Sequence, residues 1–309
     1  MPTTVSATVF YHDAGEASAR VYAVVAPQID GRAATAAELA DCRLECRIEG
    51  PTCRYSTTLT ARVPLRHRGP TSWGDLPAIA AEGVLPDPCA WTSELPFLYR
   101  VVGTVRIGEQ AIGEINQTFG IRPLAAVKRR IVLNGKTWVP RIVNRAIVHP
   151  PAALSEWRET ATTLSVVEPD EALCREADEI GVSIVAGVRH GRGRDGVATL
   201  RRLSRHPSVV LTMVESVEPL PQGFRTAARN TLRCSWQPLP PPIGAFDATD
   251  VFVATGHEVG LPGNVWESGR PVIVFSPIQE ARTLEQARAR CDEFQAQLAG
   301  KCDPAGYLV

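Results

Sequence analysis

The chain has 309 residues, with 33 Lys and Arg against 33 Asp and Glu, so its formal net charge is zero. That balance leaves no electrostatic surplus for a phosphate backbone or an anionic bilayer, which excludes the simplest nucleic-acid and membrane-surface partners. With 44% hydrophobic and 21% charged residues the chain is not disordered in the main, and its length suits two domains.

No run of 18 apolar residues occurs, so no spanning helix is expected. The first ten residues lack the basic start and apolar core of a secretory signal, which points to a cytoplasmic protein. The eight cysteines, at 42, 46, 53, 89, 174, 234, 291 and 302, show no zinc spacing and are too sparse for a disulfide scaffold. Reduced thiols are expected, although Cys42, Cys46 and Cys53 lie where neighbouring strands would bring them near one another.

Up to about residue 120, short apolar runs are broken by Gly, Pro and Asp: Arg20 to Val25, Leu44 to Ile48, Tyr55 to Val63, Phe97 to Val102, Gly103 to Ile107 and Ile112 to Phe119. Alternation in Ser56 to Val63 and a turn about every ten residues predict an antiparallel sandwich. A hairpin turn is expected at Gly108-Glu109-Gln110, and one helix at Ala33 to Asp41.

Beyond Arg122, strand-like runs alternate with segments of helical period. The predicted strands are Thr137 to Asn144, Thr163 to Val167, Val182 to Val188, Ser208 to Val214, Thr231 to Trp236, Asp250 to Ala254, Pro271 to Phe275 and Gly306 to Val309. Predicted helices cover Asp170 to Ile180, Val197 to Arg205, Gln222 to Asn230 and Thr283 to Ala299. This pattern predicts a (β/α)8 barrel over residues 122–309, after a sandwich over residues 1–121. That barrel is shorter than the usual ~250 residues. The connection Gln237 to Thr249, with four prolines, is expected to be non-helical.

Three stretches resemble the family 2 glycoside hydrolases, the group of β-galactosidases and β-glucuronidases. Trp91-Thr92-Ser93-Glu94-Leu95-Pro96-Phe97-Leu98-Tyr99 resembles a segment of that family's immunoglobulin-like sandwich. Phe119-Gly120-Ile121-Arg122, Leu133-Asn134-Gly135-Lys136 and Arg141-Ile142-Val143-Asn144-Arg145 are similar to the run leading into its first barrel strand. Arg205-His206-Pro207-Ser208-Val209-Val210-Leu211 resembles the approach to its fourth. The resemblance implies an immunoglobulin-like sandwich followed by a TIM barrel; the family's N-terminal jelly-roll has no counterpart in this sequence.

Retaining glycoside hydrolysis needs two carboxyl groups about 5–5.5 Å apart, one as acid/base and one as nucleophile. The resemblance places the acid/base at Val217 and the nucleophile at Ser276, neither of which is a carboxylic acid. The sugar-contacting His-Glu pair that follows the Asn-Arg of the family is replaced by Ala146 and Ile147. A catalytically degenerate relative, binding carbohydrate or a small anion at the barrel mouth, is the leading expectation.

Two other readings stay open at this point: an active glycosidase with relocated carboxylates, Glu215 and Glu168, and a non-catalytic structural or interaction module. Glu258, just past strand six, is a further acidic candidate. The barrel rule puts ligand contacts at carboxyl-terminal strand ends, here Asn144, Arg189, His190, Trp236, Gln237, His257 and Ser276. Trp236 suits a sugar face or a packed core, and His257 suits acid–base work or a structural hydrogen bond. The loop Arg189-His190-Gly191-Arg192-Gly193-Arg194 suits an anion or a solvated surface. His149, His190, His206 and His257 lack metal spacing, so neither metal nor cofactor is expected.

Overall fold

A computed structural model describes residues 3–4, 7–29, 32–73, 76–191, 193–216, 227–236, 249–255, 265–276 and 281–309. The chain forms two compact units, Met1–Arg122 and Pro123–Val309.

The first unit contains β1 (Thr3–Thr4), β2 (Ala7–His12), β3 (Ser18–Val25), β4 (Gln28–Ile29), β5 (Arg32–Ala33), α1 (Ala36–Asp41), β6 (Cys42–Thr52), β7 (Ala61–Trp73), β8 (Leu76–Pro86), β9 (Leu98–Ile107) and β10 (Gln110–Phe119). Eight strands join in the order β1-β10-β9-β6-β7-β8-β3-β2, and β4 pairs with β5. All the pairs are antiparallel except β1 with β10. In β6, Cys42, Leu44, Cys46 and Ile48 are buried while Arg43, Glu45 and Arg47 are exposed, the period of a sheet with one wet face.

β7 changes partner midway. Its first part, Ala61 to Leu65, pairs with β6, and Arg66 to Trp73 pair with β8 across a register shift at His67/Gly69. Such a switch turns a corner in a sheet. The result is a curled sheet, in which Val9 of β2 and Ile115 and Phe119 of β10, from near opposite ends of the strand order, share one core.

Three sequence expectations change here. Residues 55–60 are not a strand: Ser56-Thr57-Thr58-Leu59-Thr60 has no apolar face to bury, and Leu59 is 93% exposed. The runs Phe97 to Val102 and Gly103 to Ile107 form the single strand β9. Gly103 marks a close approach there, because a Cβ at this position would lie 2.2 Å from the Glu45 carbonyl oxygen. Helix α1 starts later than expected because Thr35 caps it, accepting from Glu38 N–H while the Glu38 carboxylate accepts from Thr35 N–H. All eight cysteines are free thiols.

The second unit begins with a small antiparallel sheet, β11 (Leu124–Val127), β12 (Arg130–Leu133) and β13 (Lys136–Thr137). Asn134 and Gly135 turn β12 into β13 with φ of 50° and 75°, left-handed values suited to an Asn-Gly pair. Eight parallel strands follow: β14 (Arg141–Asn144), β15 (Thr163–Val167), β16 (Ile184–His190), β17 (Val209–Ser216), β18 (Leu232–Trp236), β19 (Val251–Thr255), β20 (Val272–Phe275) and β21 (Gly306–Leu308). β21 pairs with β14, so the sheet is a closed barrel.

Helices α2 (Leu154–Glu159), α3 (Glu171–Ile180), α4 (Gly196–Leu203) and α5 (Leu284–Leu298) lie between strands. The short α2 was not expected; it offers only Leu154 and Trp157 as buried residues, too brief an apolar stripe to stand out in the sequence. The predicted helix at Gln222 to Asn230 falls mostly outside the described residues, as does the Gln237 to Thr249 connection.

Strand alternation sorts the barrel residues into two cores. Val143, Ile184, Ala186, Val188, Val274 and Tyr307 pack outward with Trp157, Ala177, Leu200, Ala287 and Cys291 of the helices. Their neighbours Ile142, Val185, Leu211, Val253, Ile273 and Leu308 form the second core. Ile131 of β12, fully buried, joins this inner set, with Leu124 and Ala126 packed against it, so the small sheet closes the amino-terminal end of the barrel.

Candidate functional site

The inner parity runs to the carboxyl-terminal strand ends. On β16 it passes through Val185 and Gly187 to Arg189, and on β17 through Leu211 and Met213 to Glu215. Arg189 and Glu215 are register partners, and Arg189 Nε lies 3.6 Å from Glu215 Oε2. Gly187 keeps this part of the wall thin, since a Cβ there would stand 3.1 Å from Val167 Cγ2.

Glu168 follows β15 in a left-handed conformation, φ 47°, with its N–H donated to the Gly187 carbonyl at 2.8 Å. Its Oε2 lies 3.2 Å from Arg194 Nη1. A tight turn delivers that arginine: Gly191 bridges Arg194, and Arg194 N–H donates to the Gly191 carbonyl. Asp195 then caps α4 through Ala198 N–H, and α4 begins on Gly196, whose Cβ would meet the His190 Cβ at 2.9 Å. His190 is therefore seated against the start of α4.

Asn144 ends β14, and its Oδ1 accepts from Ala146 N–H at 3.0 Å, capping a short 3-10 turn. Trp236 ends β18, and Ser276 follows β20 with its N–H donated to the Leu308 carbonyl. Val217, Gln237, His257 and Glu258 lie outside the described residues. The two glutamates proposed as relocated carboxylates thus each stand beside an arginine, at half-exposed positions.

The sequence reading missed both ion pairs, which join residues 26 positions apart in each case and follow from strand register and from the turn that carries Arg194. It also missed a buried cluster at the other end of the strands. His206 Nδ1 is 2.6 Å from Asp178 Oδ2 and its Nε2 is 3.2 Å from Glu171 Oε2, while Asp178 Oδ1 accepts from Ser208 N–H at 2.9 Å. Burial works against protonation of His206, but the hydrogen bond and charge of Asp178, with Glu171 beyond it, prevail and raise the imidazole above its ordinary value. The cluster ties α3 to the start of β17. Among the described residues no group of three or more His, Cys, Asp or Glu could hold a metal ion.

With its closed parallel barrel and its curled antiparallel sheet, this chain is structurally similar to solved glycoside hydrolases. A glycosyl hydrolase family 2 member from Bacteroides cellulosilyticus superposes with a TM-score of 0.62 at 13% identity, over 98% of this chain and 43% of that one. A Bifidobacterium dentium β-glucuronidase complexed with coumarin-3-O-glucuronide gives 0.58 at 14% identity, over 100% and 60%. Bacteroides uniformis β-glucuronidase 2, covalently bound to cyclophellitol-6-carboxylate aziridine, gives 0.56 at 14%, over 98% and 45%. The chain therefore spans about half the length of these structures. No protein-family model matches it, and no curated protein does. No helix among the described residues is long and apolar enough to cross a membrane.

Proposed function

We propose that the chain is a glycoside hydrolase family 2-like protein that has lost the retaining pair of carboxylates and binds an acidic carbohydrate at the carboxyl-terminal mouth of its barrel. In this reading residues 1–121 are an immunoglobulin-like sandwich and residues 122–309 a reduced (β/α)8 barrel. The observation that carries it is the Arg189–Glu215 pair on adjacent strand ends, with serine at position 276, where the family resemblance expects the nucleophile.

The chemistry follows from what these groups offer. Arg189 presents a planar fork suited to a carboxylate, and Glu215 is the anion that an incoming uronic acid displaces or joins through hydroxyls. Arg194, paired with Glu168, repeats the arrangement one strand away. Asn144 spends its Oδ1 on the 3-10 turn and keeps its amide N–H groups for a sugar hydroxyl. His190 and Ser276 complete the described part of the mouth. The glucuronide and the 6-carboxylate compound bound by two of the structural neighbours have this chemistry.

Titration with glucuronate, galacturonate, glucose and galactose, followed by saturation-transfer NMR, tests the reading. Uronates are expected to saturate, and Arg189→Ala to weaken them about tenfold, the worth of one charge-assisted contact. Absence of saturation by any uronate at millimolar concentration overturns it. Hydrolysis of a nitrophenyl glucuronide that is lost in Glu215→Gln or Glu168→Gln would instead establish the active, relocated-carboxylate alternative.

A further inference from the structure

At the amino-terminal end of the barrel, opposite the mouth, lies a hollow of about 280 Å³. The starts of β18, β19 and β20 supply Arg233, Thr249, Asp250 and Arg270, and the β11–β12 turn supplies Lys128. Among the described residues three cations face one carboxylate, and that carboxylate is already engaged. Asp250 Oδ2 accepts from Arg233 Nε at 2.9 Å and from Arg233 N–H at 2.9 Å, while Oδ1 accepts from Nη2 at 2.8 Å.

This bidentate grip fixes the Arg233 guanidinium and uses one edge of it. Its Nη1 is buried and has no hydrogen-bond partner among the described residues. Buried donors normally find an acceptor, and a guanidinium held by one carboxylate still has donors to offer another anion. Arg270 is oriented by a hydrogen bond from its Nη1 to the Thr249 carbonyl. Lys128 has φ of 52°, a left-handed value uncommon for a lysine, at the tip of the turn that borders the hollow.

We propose that this hollow binds a phosphate-type oxyanion, free or as the phosphoryl group of a small metabolite. The excess of two positive charges matches a dianion, and tetrahedral oxygens can accept from a guanidinium edge and an ammonium together. The volume sits just below the roughly 300–1,000 Å³ of ordinary small-molecule sites, so the ligand is small. The site is separate from the mouth, and neither proposal depends on the other.

Inorganic phosphate, titrated at low ionic strength and followed by calorimetry, is the probe. Saturable binding with one site is expected, weakened about tenfold by Lys128→Gln and by Arg270→Gln and unchanged by Arg189→Ala. Lys128 is an exposed turn residue, so its variant remains readable if Arg270→Gln fails to fold. The exposed neighbour Arg129, changed to Gln, is the control for general charge. No saturation, a loss in Arg189→Ala alone, or an equal loss in Arg129→Gln overturns the proposal.

Discussion

Arg189 and Glu215 face one another across adjacent parallel strands, with Nε and Oε2 3.6 Å apart and side chains 47% and 65% exposed. An ion pair this open to water contributes little to folding, typically about 0–1 kcal/mol. Glu215→Gln is therefore expected to change unfolding stability by less than about 0.5 kcal/mol in urea melts. A loss well above about 1 kcal/mol would make the pair a scaffold element and count against its role in ligand binding.

The His206 cluster behaves in the opposite way, because it is buried. Its raised imidazole value adds stability that is complete below about pH 6.5, the unfolded value, and disappears as pH rises through the folded one. Urea melts between pH 6 and 8 should show stability falling by at most about 1.4 kcal/mol per pH unit, and His206→Gln should flatten that slope. A slope unchanged in the variant would assign the effect elsewhere.

Asp178 holds both His206 Nδ1 and the Ser208 N–H, and removing it leaves those two groups without this acceptor and His206 with Glu171 alone. Asp178→Ala is expected to cost about 3–5 kcal/mol, read from the urea midpoint. A cost under about 1 kcal/mol would show that α3 and β17 are tied by packing alone.

At Gly103 the added methyl of alanine would meet Glu45 O at 2.2 Å and Cys46 Cβ at 2.4 Å, both fixed in the neighbouring strand. Overpacking with no flexible neighbour to yield costs about 1–3 kcal/mol or more. Gly103→Ala should lower the thermal midpoint markedly, whereas Gly108→Ala, where nothing lies within 4 Å, meets only its left-handed φ of 53° and should cost less. Equal losses would refute the steric account.

Much of the barrel was legible because continuous apolar runs such as Ile184 to Val188 match strands buried on both faces. The motifs that carried the family resemblance turn out to be structural. Trp91 is fully buried, with its N–H donated to the Ile121 carbonyl; Tyr99 OH accepts from Cys89 N–H; Asn134-Gly135 is a turn; and His206 is a buried tie. These sites are dictated by packing and turn geometry, so a single sequence can expose them. In the curled sheet, most of β7 and β8 went unseen because Pro and charged residues interrupt their apolar faces, and the six-residue β2 went unseen without any such interruption.

Mouth chemistry was less legible for a physical reason. Whether Glu215 meets Arg189, or Glu168 meets Arg194, depends on register and on a four-residue turn, neither of which leaves a periodic trace. The Arg233–Asp250 pair is further removed, since it joins the starts of neighbouring strands across a connection of 16 intervening residues.

Ile131 has a wider consequence. A barrel sealed from below by a separate hairpin is a cup whose wall and base are secured by contacts that do not involve its rim. Substitutions along that rim can discard one chemistry, or admit another, while the vessel keeps its shape. Loss of a reaction and retention of a fold are then independent events.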